Sequence, residues 1–446
     1  MDFTDKKALV LGLGETGLSA AKWLRSTGAE VVAADSRPEP RELPGIRVHV
    51  GPFRPEILEG VDFVAISPGI SLREPVVEQA IGSGIPVMGD IELFARAISG
   101  RSPAPTVIAI TGSNGKSTVT TMVGKICEAA GFDTVVAGNI GVPVLDTLDR
   151  HPQVYVLELS SFQLETVTSL DAAAAAVLNL SEDHLDRHGT MASYAGAKSA
   201  IFGGHGAQVL NRDDPSSLAM RLSGRKALTF GLSAPKDESE YGIVESAGEA
   251  WLARGVRPVM KVSGLKVAGL HNAMNALAAL ALCDCLDIAE ARAIAALEAF
   301  SGLPHRVEKV CEIGGVAYFD DSKGTNVGAT VAALAGLGRK AVVILGGEGK
   351  GQDFSPLKAA VGAHARAVVL IGRDAGIIAD AISGTAVPVI RAGGMEDAVA
   401  RAARVAVPGD AVLLSPACAS FDMFRNYSHR AEAFIAACRK REGESC

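Results

Sequence analysis

The sequence predicts an α/β protein made of three consecutive units, each a mostly parallel sheet with helices packed against it. Short apolar runs alternate with helical patterns along most of the 446 residues. Two glycine-rich loops each follow an apolar run and precede a helical pattern. Stretches of linker composition at 99–105 and 301–304 interrupt the alternation. We therefore predict units at 1–95, 96–300 and 301–446.

The elements of each unit follow from the periodicity of apolar residues. In the first unit we predict strands at 8–11, 31–34 and 63–66, and helices at 18–26 and 74–82. The second unit has predicted strands at 106–110, 134–137, 155–159, 174–178 and 208–210. A polar, strand-like stretch follows from 232 to 262, and helices are predicted at 272–286 and 289–300. Strands of the third unit are predicted at 316–319, 341–345, 367–371, 387–390 and 411–414.

Composition and charge argue against several classes of protein. A net charge of −7 leaves no basic excess to neutralise nucleic-acid phosphates. No run approaches the roughly 18 apolar residues that a membrane span needs, and residues 1–3 do not begin a secretory leader. The seven cysteines are odd in number and scattered, which does not suit a disulfide framework. We expect a cytoplasmic monomer with no nucleic-acid partner and no membrane span.

The first glycine-rich loop predicts a Rossmann-like N-terminal unit. Residues 12–17 spell Gly-Leu-Gly-Glu-Thr-Gly, and Asp35 closes the second predicted strand. This is the dinucleotide fingerprint with its acidic ribose partner. It is compatible with a nicotinamide cofactor, in which case Arg37 would meet a 2′-phosphate, and with a unit that binds nothing. Because the second loop needs a nucleotide of its own, a different pyrophosphate-bearing ligand is the favoured interpretation.

The second loop predicts an ATP-binding central unit with a P-loop. It comprises Thr111 and the phosphate-binding residues Gly112, Ser113, Asn114, Gly115, Lys116, Ser117 and Thr118. Its glycines enclose two residues, whereas the standard pattern has four. Lys116 can reach the terminal phosphates, and the hydroxyl of Ser117 can hold Mg²⁺. The order of strand, loop, lysine and hydroxyl therefore indicates ATP.

Acidic and basic residues follow two neighbouring strands of the central unit. Glu158 interrupts an apolar run and is placed to hold Mg²⁺, with a purely structural role as the alternative. His184 lies in an acid-rich and histidine-rich stretch at 179–188, where a strand ends. Lys198, from the residues alone, is interpreted as an ordinary surface lysine.

Taken together, these motifs resemble the Mur ligase family, along nearly the whole chain. The markers are Gly89–Phe94, the P-loop, Gly138–Gly141, Glu158–Leu164, Glu182–Asp186, His271-Asn272, Leu303–Arg306, Asp321–Asn326, Gly346–Lys350 and Leu414–Ser420. The P-loop with the arginine and Asp-Ser-Lys stretches marks the superfamily, which includes folylpolyglutamate synthase. The stretches at 158–164 and 414–420 resemble the members that add D-glutamate.

The resemblance implies an ATP-driven amide ligase of peptidoglycan precursor synthesis. The carboxylate of UDP-N-acetylmuramoyl-L-alanine would attack the γ-phosphate of ATP to give an acyl phosphate, which the amine of D-glutamate would then attack. Phosphorylation supplies the leaving group that a carboxylate lacks, so catalysis is mostly positioning and charge neutralisation. The C-terminal unit would be a second Rossmann-like unit that holds the amino acid.

The resemblance also implies a role for each matching residue. ATP would be held by residues 112–118 with Asn272, Asn275, Arg306 and Asp321. The UDP-sugar would be held by Thr16, Asp35, Ser36, Arg37, Ser67, Asn139 and His184, and D-glutamate by Lys323, Thr325, Lys350, Ser420, Phe421 and Tyr427. Two Mg²⁺ ions would be served by Ser117, Glu158, His184 and a carbamylated Lys198. The groups expected to act in catalysis are Lys116, Glu158, His184, Lys198, Lys323 and Lys350.

Three other interpretations stay open at this point. One is a ligase of the same class that adds a different amino acid, although Lys323, Thr325 and Ser420 suit an acidic one. Another is an NAD(P)-dependent oxidoreductase that uses the first loop. The third is a non-enzymatic nucleotide sensor, which would not need Lys323 or Lys350. Because the ATP and glutamate groups fall on both sides of 301–304, the sequence also predicts a hinge near 301–303.

Overall fold

The computed structural model describes residues 3–41, 43–267 and 269–444. Within them the strands form three sheets, of five, nine and six strands. Each sheet is built mainly from parallel pairs whose buried strands are largely apolar, as expected when helices cover both faces. The predicted α/β class is therefore confirmed.

The first sheet is fully parallel, with the order β3-β2-β1-β4-β5. Its strands are β1 (Lys7–Leu11), β2 (Glu30–Asp35), β3 (Arg47–Val50), β4 (Phe63–Ile66) and β5 (Val87–Met88). Its helices are α1 (Glu15–Ser26), α2 (Pro75–Gly82) and α3 (Asp90–Ile98). The strand order reverses beside β1, so the carboxyl ends of β1, β2 and β4 frame the crevice in which such sheets bind ligands.

The second sheet has the order β14-β13-β12-β11-β10-β9-β6-β8-β7. Its strands are β6 (Thr106–Thr111), β7 (Thr134–Gly138), β8 (Val154–Glu158), β9 (Ala174–Val177), β10 (Ala207–Asn211), β11 (Ala227–Phe230), β12 (Glu240–Ser246), β13 (Glu249–Arg254) and β14 (Arg257–Lys261). Its helices are α4 (Lys116–Ala130), α5 (Ser161–Leu164), α6 (Leu185–His188), α7 (Met191–Ser199), α8 (Pro215–Leu218), α9 (Leu270–Cys283) and α10 (Glu290–Ala299). The last three strands form an antiparallel extension, whereas β6 lies between β8 and β9 in the parallel part.

The third sheet has the order β15-β16-β20-β17-β18-β19, with β15 as an antiparallel edge. Its strands are β15 (Glu308–Ile313), β16 (Val316–Asp320), β17 (Ala341–Gly346), β18 (Ala365–Ile371), β19 (Val389–Arg391) and β20 (Ala411–Leu414). Its helices are α11 (Val327–Gly336), α12 (Leu357–His364), α13 (Ala375–Ala381), α14 (Met395–Val405) and α15 (Tyr427–Glu444).

All predicted strands are present within a few residues of their expected positions, but other strands show no predictive pattern in the sequence. Strand β3 is a partly exposed edge, and β5 has only two residues, so neither shows a long apolar run. Helix α3 was also missed, and the boundary predicted after residue 95 falls inside it. The boundary predicted after residue 300 falls in the connection between α10 and β15.

One hydrophobic core joins the first two sheets. It contains Phe3 and Leu24 from the first unit, Phe94 on α3, and Val107 and Leu157 from the second unit. The third sheet is packed around two clusters of its own. In the described part of the chain, we find no helix whose length and hydropathy would suit a membrane span.

Candidate active site

The P-loop lies at the carboxyl end of β6, where it turns into α4. Gly115 is the residue before the helix and has a φ of 83°, which favours glycine. A Cβ at this position would lie 2.6 Å from Oδ1 of Asn275 on α9. Asn114 is held from the other side, because its amide N–H donates to Oδ1 of Asn179 at 2.8 Å. The loop is therefore fixed between β9 and α9, with the N-terminus of α4 open toward the cleft.

Two lysine amines share one carbonyl of this loop. Nζ of Lys116 donates to the carbonyls of Gly112 at 2.8 Å and Ser113 at 3.0 Å. Nζ of Lys198, on α7, donates to the same Gly112 carbonyl at 2.9 Å and to Oγ1 of Thr111 at 3.2 Å. Lys198 is only 1% exposed, so its interpretation as a surface lysine is wrong. Burial, together with neighbouring Lys116, lowers the pKa of Lys198 well below its ordinary value.

A buried carboxylate and a buried hydroxyl face these amines. Oε1 of Glu158, at the end of β8, accepts a hydrogen bond from Nδ2 of Asn139 at 2.7 Å, and its Oε2 has no partner among the described residues. Oγ of Ser117 accepts from a guanidinium nitrogen of Arg306 at 2.9 Å and from Nζ of Lys323 at 3.3 Å. Hydroxyl and carboxylate oxygens are the donors that Mg²⁺ takes, so Ser117 and the unpartnered oxygen of Glu158 fit this ion.

A second acidic group connects the central unit to the third unit. Oδ1 of Asp183 pairs with Nζ of Lys350 at 2.5 Å, and its Oδ2 lies 3.6 Å from Nε2 of His184. Nδ2 of Asn326 donates to Oδ2 of Asp183 at 3.3 Å and to Oδ1 of Asn114 at 3.1 Å. Burial lowers the pKa of His184 to about 4, so its ring is neutral near pH 7 and has a lone pair to offer a metal.

A cavity of about 450 Å³ lies between the second and third units, beside the P-loop. Its lining includes seven of the residues predicted to bind ATP, namely Asn114, Gly115, Thr118, Asn272, Asn275, Arg306 and Asp321. Apolar side chains from the two units also contribute to its lining, among them Leu232, Val267, Met274 and Leu303. Its size and its mixed lining suit a nucleotide.

Most of the residues predicted to bind the UDP-sugar lie at the carboxyl edge of the first sheet. The carboxylate of Asp35 accepts from the backbone N–H of Leu13 at 2.7 Å and pairs with Arg37 at 2.6 Å, and the Arg37 contact lowers the pKa of Asp35 to about 2. Oγ of Ser67 donates to the Gly12 carbonyl at 2.7 Å. Thr16 is half-buried, and Ser36 is exposed. Asn139 lies apart from this group, at the end of β7, where it holds Glu158.

The residues predicted to bind D-glutamate lie on three loops of the third unit and at the start of α15. Nζ of Lys323 lies 5.3 Å from the ring of Tyr427, and Thr325 is half-buried two residues beyond it. The loop that leads to Lys350 pairs with the loop that leads to Ser420, through two backbone hydrogen bonds between Glu348 and Ala419. Ser420 is buried, whereas Phe421 is 71% exposed and projects into solvent.

Three residues of this region were not predicted from the sequence to be site residues. Asp183 lies in the motif Glu182–Asp186, and Asn326 lies in the motif Asp321–Asn326. Their closeness in sequence to predicted site residues could have indicated a role for them. Arg430 is 1% exposed on α15 and donates to the Ser322 carbonyl at 2.7 Å and the Cys418 carbonyl at 3.0 Å. It ties α15 to two loops of the site. No local pattern predicts this, because Ser322 lies about a hundred positions away in the sequence and Cys418 lies on a separate loop.

The fold and the site define a P-loop protein whose nucleotide cavity is completed by a third unit. Comparison with known domain families gives three consecutive matches: "Mur ligase MurD-like, N-terminal domain" at residues 6–89, "Mur ligase middle domain" at 110–283 and "Mur ligase, glutamate ligase domain" at 305–418. The chain belongs to the Mur ligase family.

Individual relatives give a finer comparison. The UDP-N-acetylmuramoylalanine--D-glutamate ligase of Methylobacillus flagellatus is 58% identical over 98% of this chain and 97% of its own length. The protein of the same name from Thiobacillus denitrificans is 57% identical over 99% of this chain and 97% of its own length. Among solved structures, the UDP-N-acetylmuramate-alanine ligase MurC of Thermotoga maritima has a TM-score of 0.61 at 20% identity, covering 98% of this chain and 99% of that one. This last likeness confirms the fold.

Proposed function

We propose that this protein is an ATP-dependent ligase that joins D-glutamate to UDP-N-acetylmuramoyl-L-alanine in peptidoglycan precursor synthesis. Relatives with this named activity are 57–58% identical along nearly the whole chain. The observation that carries the proposal is the group of cations from two units around Ser117, formed by Lys116, Arg306 and Lys323. A triphosphate between the units would meet positive charge from both. We further propose that the enzyme works as a cytoplasmic monomer.

The ATP-dependent step begins with phosphorylation of the acceptor carboxylate. The acceptor carboxylate attacks the γ-phosphorus, the bond to the β-phosphate oxygen breaks, and ADP leaves. Lys116 holds the transferring group through its amine, and the N-terminus of α4 orients the phosphates. Ser117 and Glu158 would hold Mg²⁺, which would supply neutralisation of the phosphate charge. Arg306 adds a further positive charge from the third unit.

The second step forms the amide. The neutral amine of D-glutamate attacks the acyl carbon, phosphate leaves, and the amine gives up a proton. We propose that Lys323, Thr325, Lys350, Ser420, Phe421 and Tyr427 hold the amino acid. The two lysines would meet its carboxylates, since charge-assisted hydrogen bonds are the strong ones. Lys350 would then exchange its pairing with Asp183 for one with the substrate.

Lys198 supports a second metal position. A buried amine whose charged form is disfavoured is available as the neutral nucleophile that adds CO₂. The carbamate carries one negative charge and two oxygens, and with neutral His184 it would contribute ligands to a second Mg²⁺.

We also propose that residues 1–95 bind the UDP-sugar, residues 96–300 bind ATP and residues 301–446 bind the amino acid. The residues proposed to contact the UDP-sugar are Thr16, Asp35, Ser36, Arg37, Ser67, Asn139 and His184.

The proposal is tested by phosphate release from ATP with UDP-N-acetylmuramoyl-L-alanine and each of three amino acids. We expect release that depends on D-glutamate, with L-glutamate and meso-diaminopimelate at background. If phosphate is released with another amino acid but not with D-glutamate, D-glutamate is not the substrate. If phosphate is released without any amino acid, the protein is not a ligase. In parallel, titration with NADH should leave its fluorescence unchanged. Tight NADH binding without UDP binding would favour the oxidoreductase interpretation instead.

A further inference from the structure

A buried carboxylate at the start of α3 contacts the central unit. Asp90 is 3% exposed, and its Oδ2 accepts a hydrogen bond from Nε2 of Gln163 at 2.9 Å. Its Oδ1 is buried without a hydrogen-bond partner among the described residues. Burial raises the pKa of Asp90 to about 6. Burying a carboxyl group with an unpartnered oxygen costs free energy, which indicates a role for Asp90 beyond packing.

The same amide of Gln163 also holds the turn that follows β8. Its Oε1 accepts from the backbone N–H of Ser160 at 3.1 Å and from Oγ of Ser160 at 3.2 Å. The N–H of Gln163 donates back to Oγ of Ser160 at 3.1 Å, which completes a capping box. Ser160 comes two residues after Glu158. One side-chain amide therefore connects α3 of the first unit to the turn that carries the proposed metal ligand.

We propose that Asp90 and Gln163 are positioning residues for the ligation. Through the Gln163 amide, Asp90 holds the turn at 158–163 in a fixed position relative to the first unit. The acceptor bound on the first unit and the Mg²⁺ held by Glu158 are thereby kept at a constant separation. This inference rests on the proposed function, and it explains why an aspartate is buried at this interface.

Another carboxylate of the same helix provides a matched control. Glu92 accepts from the backbone N–H groups of Thr168 at 2.8 Å and Ser169 at 2.9 Å, and it pairs with Arg96 at 2.7 Å. It attaches α3 to the central unit, but its partners lie beyond the 158–163 turn. Loosening the interface at Glu92 should therefore lower stability without displacing Glu158.

The test first removes and then reverses the hydrogen bond that Gln163 donates to Asp90. In Gln163→Glu the ionised side chain keeps an acceptor for Ser160 but cannot donate to Asp90, and it places two carboxylates together. We expect turnover to fall by about 10- to 100-fold, the usual effect of losing a group that orients a metal ligand. The Mg²⁺ concentration needed for binding of an ATP analogue should rise by a similar factor. In the double variant Asp90→Asn/Gln163→Glu, the asparagine amide donates to the glutamate, and both quantities should return to within about threefold of wild type.

Thermal melting of all variants separates positioning from folding. Glu92→Gln should lower the melting temperature while turnover and Mg²⁺ dependence stay near wild type. The proposal is overturned if Gln163→Glu behaves as wild type, if the double variant folds but does not recover, or if losses follow melting temperature in every variant. A wild type that is inactive with D-glutamate would overturn the proposed function alone, because the Mg²⁺ dependence of analogue binding still decides the role of Asp90.

Discussion

At the residue scale, the amines of Lys116 and Lys198 compete for one acceptor. Both donate to the carbonyl of Gly112, at 2.8 and 2.9 Å, in a buried region. Two ammonium groups this close repel each other, and burial penalises each of them. The deeper amine, Lys198, is the one whose pKa is lowered furthest. Burial and the neighbouring amine therefore favour loss of a proton from Lys198 before Lys116, as the proposed carbamylation of Lys198 requires.

Lys116→Ala should abolish ligation while the fold survives. Removing the positive charge from the transferring phosphate should lower turnover by at least about a hundredfold, on the scale of losing one preorganised stabilising group. The measurement is phosphate release, with circular dichroism to confirm folding. Lys125→Ala, on the exposed face of the same helix, is the matched control and should keep wild-type turnover. Normal turnover by Lys116→Ala would contradict the P-loop assignment.

Lys198→Ala should be nearly inactive but partly restored by formate or acetate. A small carboxylate can take the space and supply the anionic oxygens that the carbamate is proposed to provide. Activity is measured against carboxylate concentration, and an electron-density map of the wild type shows whether the lysine is modified. Lys198→Arg fills the space with a permanent cation, so added carboxylate should not restore it. An active alanine variant together with an unmodified lysine would exclude the carbamate.

Local motifs were enough to identify some of the candidate site residues, whose roles stay predictions. Lys116, Ser117 and Glu158 are defined by a loop or by a polar residue in an apolar run, and the structure brings them together. The burial of Lys198 was missed, since its helix, α7, has no clear apolar face. Arg430 was missed because its partners, Ser322 and Cys418, meet it only in the folded third unit.

At the element scale, the junction of β6 and α4 depends on its glycine. We expect Gly115→Ala to destabilise the protein by about 1–2 kcal/mol, because an alanine at positive φ is strained. The added Cβ would also displace Asn275, which lies 2.6 Å away and lines the nucleotide cavity. Affinity for an ATP analogue, measured by titration calorimetry, should therefore fall at least about tenfold.

Gly131→Ala, at the other end of α4, separates the two effects. Gly131 has a φ of 94°, and its added Cβ would have Arg292 at 3.8 Å as its nearest neighbour. Its stability loss should be similar, whereas nucleotide affinity should stay unchanged. Equal loss of affinity in both variants would show that strain, and not the contact with Asn275, is responsible.

Most inner parallel strands were predictable because each is a buried apolar run between turn residues. The elements at the edges were harder to predict, because β3 is partly exposed, β5 is very short, and α3 begins without a side-chain cap. Helix α3 proves important, since Glu92 and Asp90 connect it to the second unit. Its role depends on tertiary contacts, which no local pattern encodes.

At the scale of the whole molecule, the first two units form one body. They share a hydrophobic core and the polar contacts of α3, so the isolated segment 1–95 would lose the packing of this core against the second unit. We expect that segment to remain unfolded when expressed alone, with a circular dichroism spectrum that lacks native helix. UDP binding should instead appear on the full chain. A folded 1–95 segment that binds UDP would show that the units are independent.

The third unit is attached differently, and we expect it to move. Polar contacts join it to the central unit, such as those of Lys350 with Asp183 and Arg306 with Ser117. They bring Arg306 and Lys323 toward Lys116, and these like charges repel until a polyphosphate lies between them. In the structure these contacts hold the third unit against the P-loop, and the connection near 301–303, where Gly302 has a φ of 99°, is the predicted hinge. Small-angle scattering should give a larger radius of gyration for the ligand-free protein than for the protein with an ATP analogue and the UDP-sugar. Raising the salt concentration should narrow the difference by screening the repulsion. An equal radius in both states, at low salt, would show that the third unit is held closed without nucleotide and that no hinge operates.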